Sequence, residues 1–126
     1  MASRKEPSRR RWSAPPEALT RRFNDIVARY PDVSVRSMFG CPSAFVGGQM
    51  FAGVFEQSVF VRLSPEERAT ILERLAGKPF EPLPGRVMKE YVILPMEILG
   101  DEAKLLRWIG EAHAYASGLP TRPKRR

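Results

Sequence analysis

One cysteine, Cys41, and one histidine, His113, are all that this sequence offers of the side chains most used in nucleophilic and metal chemistry. A lone cysteine excludes an internal disulfide and fits a reducing compartment. A zinc centre needs three or four Cys, His or carboxylate ligands in register, so neither a metal nor another cofactor is expected. No apolar run approaches the ~20 residues that a bilayer-spanning helix requires. The arginines near the N-terminus have no apolar stretch behind them, as a secretory signal would. Phosphate loops are also missing. "GCPSAFVGG" lacks the Gly-Lys-Ser ending of a nucleotide-binding turn, and no Gly-x-Gly-x-x-Gly occurs. The expected protein has no membrane segment and resides in the cytoplasm.

Charge is present in excess but is unevenly placed. The formal net charge is +7. Met1–Pro16 holds five basic residues and one acidic residue, and Leu119–Arg126 holds four basic residues and no acidic one. The intervening body is close to neutral. The chain therefore divides into a basic N-terminal tail (1–16), one domain (17–118) and a basic C-terminal tail (119–126). Basic arms can grip phosphate without reading bases, so nucleic acid is a candidate partner of the tails. Trp12 is the only large apolar group of the first tail and is a candidate anchor to the body.

Within the domain the apolar spacing changes period several times. Leu19, Phe23, Ile26, Val27 and Tyr30 share one face of a helix over Glu17–Tyr30, which Pro31 stops. Val33–Phe39 reads as a strand and "GCPS" as a turn or bulge. Ala44–Val46 pairs with Gln49–Phe55 across Gly47-Gly48, the dipeptide of a tight hairpin. A second turn at Glu56–Ser58 leads into Val59–Leu63. Ser64, Pro65 and Glu67 spell a capped helix start. Ile71, Leu72 and Leu75 form its stripe, and Gly77 is placed to end it. "KPFEPLPG" reads as an irregular arm, Val87–Leu94 as a strand and Pro95–Leu99 as a short turn. Asp101 caps a last helix to about Ser117, with Leu105, Ile109, Ala112 and Ala116 inward and Gly118 as stop. The order α-β-β-β-β-α-β-α is that of an α+β two-layer sandwich with a mostly antiparallel sheet.

The chemistry-bearing residues are few. Cys41 and His113 form a nucleophile–base dyad only if the last helix reaches the first turn. Nothing local favours that, and a half-buried, inert thiol is the simpler reading. Glu66, Glu67 and Glu73 read as solubilising charges on an exposed helix. Arg86, Lys89, Glu90 and Tyr91, in and beside an apolar strand, make a candidate polar site.

The hairpin Gln49–Leu63 has no polar face. Strict alternation places Met50, Ala52 and Val54 on one side and Phe51, Gly53 and Phe55 on the other. Val59, Val61 and Leu63 likewise oppose Phe60 and Arg62. Helices can cover one face; the other must meet a loop, a ligand or another chain. With the aromatic set expected toward the helices, Ala52, Val54, Val59 and Val61 become the candidate partner surface, and a homodimer the simplest partner.

"RSMFGCPSAFVGGQMFAGVF", "VFVRLS" and "GRVMKEYVILP" together resemble the N-terminal domain family of the TfoX/Sxy competence regulators over Leu19–Leu119. The marks are Met38-Phe39-Gly40, Gly48-Gln49-Met50-Phe51-Ala52 and Met88-Lys89-Glu90-Tyr91. The resemblance implies a two-layer α/β domain like that of secretion chaperones, without enzymatic activity. Full-length members act in transcription of DNA-uptake genes with the cyclic-AMP receptor protein and carry a second, helical domain. This chain is expected to be a stand-alone member. The expected function is that of a binding or adaptor domain with a regulatory role; the alternative is a nucleic-acid-associated protein working through its basic tails.

Overall fold

The computed structural model describes residues 16–38 and 40–119. Trp12 and most of the two basic tails lie outside them. The observed order is α1 (Glu17–Val27), β1 (Val33–Met38), β2 (Cys41–Val46), β3 (Gln49–Phe55), β4 (Ser58–Arg62), α2 (Pro65–Arg74), β5 (Lys78–Leu83), β6 (Arg86–Ile93), α3 (Met96–Leu99) and α4 (Glu102–Ser117). The six strands form one antiparallel sheet ordered β1-β2-β3-β4-β6-β5. The α+β, mostly antiparallel architecture is as the sequence predicts.

Local chemistry explains most boundaries. Phe23, Ile26 and Val27 are the buried stripe of α1. Its last amides, on Arg29 and Tyr30, bond three residues back to Ile26 and Val27, so the regular helix stops before Tyr30. Gly47 and Gly48 have φ of 59° and 79°, the left-handed pair that a two-residue hairpin between β2 and β3 requires. The amide of Glu67 donates to Ser64 Oγ at 3.3 Å, which caps α2. The amide of Lys104 does the same to Asp101 Oδ1 at 3.2 Å for α4.

Several expectations are corrected. "GCPS" is mostly strand: Cys41, Pro42 and Ser43 pair with Met38, Ser37 and Arg36. "KPFEPLPG" supplies β5, because its backbone completes the ladder with β6 despite Pro79 and Pro82. Pro95–Leu99 contains a turn of helix rather than a simple turn. Leu72 is on the exposed side of α2, while Ile71 is buried. The stop after α2 is Ala76 in the left-handed region at φ 64°. The amide of Gly77 then closes the end by donating to Ile71 O at 2.9 Å.

The sheet carries a core on each face. The larger lies under the helices and includes Phe23, Ile26, Val54, Val59, Val61, Leu63, Leu105 and Ile109. The smaller, on the opposite face, contains Phe45, Met50, Phe55, Phe60 and Phe80, with Met88, Tyr91 and Ile93 packed against it. The β5 segment closes this second face by laying Phe80, fully buried, on Phe60.

Candidate binding surface

The small-residue set expected as a partner surface is not at a surface. Ala52, Val54, Val59 and Val61 are each 0% exposed and belong to the core under the helices. The helices cover the face that carries this set, and Phe55 and Phe60, alternating with it, point to the opposite face; a bulge adds an exception at Phe51. Ala44 pairs with Ala52 and Phe45 with Met50, so Phe51 is one residue too many on β3. Phe51 and Ala52 therefore both enter the helix-side core, and Met50 moves to the opposite face with Phe55 and Phe60. Of the aromatic set only Phe51 meets the helices. It touches the His113 ring edge-on at 5.4 Å between centroids.

Cys41 and His113 stay apart in role and in place. Cys41 is 2% exposed in the helix-side core. It opens β2 three residues before Ala44, a step of ~10 Å along a strand. His113 lies on α4, against Tyr30, Asp32 and Phe51. Its ring stacks on Tyr30 at 4.3 Å, and Nε2 lies 3.1 Å from Asp32 Oδ1. His113 therefore joins α4 to the turn after α1.

The candidate polar site is brought together only in part. Glu90 forms an ion pair with Arg62, and the Tyr91 hydroxyl donates to Met50 O at 2.8 Å. The exposed Lys89 contributes its carbonyl, which accepts from Arg68 at 3.0 Å. Arg86 stands at the far end of β6, paired with Leu83. The centre of the cluster is Arg62, which also donates to Gln49 Oε1 at 2.9 Å and whose Nε is buried without a partner among the described residues. Sequence reasoning missed Arg62 and Gln49. The available signal was a single arginine alternating with Phe60 on a strand that has no other polar residue between Val59 and Leu63. This arrangement pins β3, β4 and β6 together at one end of the second face.

The other end of that face is open. A cleft of about 480 Å³ lies between the β3–β4 turn and β5, lined by Phe55, Glu56, Ser58, Lys78, Phe80 and Ile93 among others. A second cleft of about 390 Å³ shares Ser58, Lys78 and Ile93 and continues past Ala76 and Gly77 to Pro95 and Met96. Met96 is 76% exposed, the most exposed large apolar side chain among the described residues. Lys78 stands between the two clefts, with Glu56, Glu81 and Glu97 on their walls. The walls are mixed, aromatic at Phe55 and Phe80 and charged at Glu56, Lys78, Glu81 and Glu97.

Among the described residues, no group of three or more His, Cys, Asp or Glu side chains converges as metal ligands would. None of the described helices is long and apolar enough to cross a membrane. A family model described as the TfoX N-terminal domain matches residues 25–116. The chain belongs to this family. The match takes in the whole sheet and all but the first turns of α1 and the end of α4. No curated protein matches the chain.

Proposed function

We propose that this TfoX N-terminal domain is a regulatory binding module that acts by docking a protein and catalyses no reaction. The observation that carries the reading is the commitment of its reactive side chains to structure. Cys41 is in the core, and His113 is held by Asp32, Tyr30 and Phe51. What faces outward instead is the double cleft about Lys78, with the exposed Met96 at its end. Membership in a family named for competence regulators supports a regulatory role, and the single cysteine supports a cytoplasmic one. The test is differential capture from the source cell with wild type and a Lys78→Glu, Met96→Glu double variant of equal thermal stability. A partner retained by the wild type and lost by the variant is expected. Equal capture by both, or by neither, places the function elsewhere.

A second reading has its own support in the tails, whose nine basic residues give the chain its positive charge. Here the chain binds nucleic acid through phosphate contacts. Affinity for a labelled duplex then falls steeply with salt and is lost when residues 1–15 and 120–126 are removed. Equal affinity of the full and shortened chains overturns it.

A further inference from the structure

The fold treats its methionines unequally. Met50 is 8% exposed in the second core, and Met38 and Met88 are partly buried against that core. Met96 stands out in solvent at 76%. Its place on α3 enforces this. Ile98 and Leu99 are the buried residues of that four-residue helix, so they occupy its inward side. Pro95 holds an extended conformation just before the helix, and Met96 O accepts from the Gly100 amide at 2.9 Å. The backbone at Met96 is thus held from both directions, and its thioether stays outside. Oxidants reach an exposed thioether more readily than one packed in a core.

The surroundings of Met96 carry a second, independent feature. Lys78 lines the same cleft of about 390 Å³. It opens β5 opposite Ile93, and the turn before it is closed by the Gly77 amide on Ile71 O. Glu97, on the same wall as Met96, is engaged by Lys104 at 3.4 Å. The Lys78 ammonium has no side-chain partner among the described residues. An ammonium donates three hydrogen bonds and accepts none, and a thioether sulfur is only a weak acceptor. The cleft therefore sets an unmatched donor beside a sulfur that cannot satisfy it. One oxygen atom added to that sulfur supplies the strong acceptor.

We propose that Met96 is a site of reversible oxidation by a hydroperoxide, and that its sulfoxide oxygen accepts a hydrogen bond from Lys78 across the cleft. A sulfur lone pair attacks the terminal oxygen of the peroxide. The S–O bond forms as the O–O bond breaks, and the proton on the transferred oxygen passes to the departing oxygen, which leaves as an alcohol, or as water from hydrogen peroxide. Sulfur gives up two electrons and the peroxide takes them. The product replaces a flexible apolar tip by a polar, chiral one that sulfoxide reductases convert back. In that state the cleft presents neither its apolar contact nor its unmatched cation to a partner. This last consequence rests on the docking reading above; the oxidation and the Lys78 contact do not.

The experiment treats the full chain with dilute hydrogen peroxide and follows each methionine by peptide mass spectrometry. In the native chain Met96 should oxidise about tenfold faster than Met38, Met50 and Met88, and in denaturant the four rates should converge. Lys78 is then probed by acetylation with a succinimidyl ester. Its rate should fall about twofold in the oxidised chain, as expected for one exposed hydrogen bond, and recover after treatment with reductases for both sulfoxide epimers. Peroxide should not change the Lys78 rate in Met96→Leu. Lys104 serves as the internal control, since its partner Glu97 is untouched by peroxide. Native oxidation of Met96 no faster than that of Met38 and Met88 overturns the site. Selective oxidation that leaves Lys78 acetylation unchanged overturns the contact. Both readouts are free of any partner, so their failure is told apart from failure of the docking reading, which the capture comparison decides.

Discussion

Phe80 of β5 stacks on Phe60 of β4, with ring centroids 4.3 Å apart and planes 10° from parallel. β6 lies between these two strands in the sheet, so the contact exists because β5 curls over the second face. Phe55 meets the Phe80 ring edge-on at 5.2 Å, and Tyr91 meets it at 6.3 Å. One proline-rich segment thereby closes a face that would otherwise expose three aromatic rings.

Phe80→Ala is expected to be the most damaging single truncation on that face. The side chain is fully buried, and phenylalanine-to-alanine changes in a core cost about 3–5 kcal/mol. Denaturant unfolding would show a lowered midpoint, and binding of a hydrophobic dye would rise. A midpoint within experimental error of the wild type would mean that the arm is not the closure of the second core.

Two glycines are set by close approach. A Cβ on Gly53 would lie 2.5 Å from Phe60 Cζ and 2.8 Å from Ser43 Oγ, and one on Gly77 would lie 2.3 Å from Ile71 Cγ2 and 2.8 Å from Ile93 O. Gly53→Ala and Gly77→Ala should each cost about 1–3 kcal/mol, the range for overpacking. Ala76→Gly, next door, should be neutral or stabilising by up to ~1 kcal/mol, because Ala76 holds a left-handed φ. Thermal melts of the three variants give the order directly, and a Gly77→Ala melt above that of Ala76→Gly would contradict it.

Glu67 is turned toward α4 rather than toward solvent. Burial, the hydrogen bond with Glu111 and the repulsion of that second carboxylate raise its pKa above the ordinary 4.5, against the opposing influence of Ser64 and Arg107. A carboxyl whose folded pKa exceeds its unfolded value binds its proton more tightly in the folded state. Its contribution therefore favours the fold at low pH and is lost as pH rises from about the ordinary value through the raised one. Glu67→Gln keeps the capping arrangement with Ser64 and removes the titration. Stability near pH 7 should rise, and the decline between mildly acidic and neutral pH should flatten. Parallel pH profiles for variant and wild type would show that the two carboxyls do not interact.

Cys41 should react only when the fold opens. It is 2% exposed, so alkylation of the native chain should be at least a hundredfold slower than that of the unfolded chain. Cys41→Ser should fold but lose about 1–2 kcal/mol, because a hydroxyl replaces a thiol in an apolar setting. Rapid native-state labelling would return the thiol to consideration as a reactive group.

The local signals in the sequence set the element types and most of their ends. Gly47-Gly48 can form a left-handed turn at no steric cost, Ser64 and Asp101 offer oxygens to otherwise unpaired amides, and Leu105, Ile109, Ala112 and Ala116 share one side of a helix by spacing alone. Such features depend on residues close along the chain, and the family marks around Gly40, Gly48 and Met88 are equally local. Which face of β3 meets the helices was not legible, because both faces are apolar and alternation does not say which one the helices cover; the extra residue at Phe51 likewise exists only in register with β2. Arg62, Gln49 and Glu90 come from three strands, and Glu67 with Glu111 from two helices. Their meeting is a property of strand order and helix packing. The same holds for the two sheet edges: the sequence of β1 contains no proline, but only the tertiary structure leaves that strand at the edge of the sheet, with β2 as its single neighbouring strand.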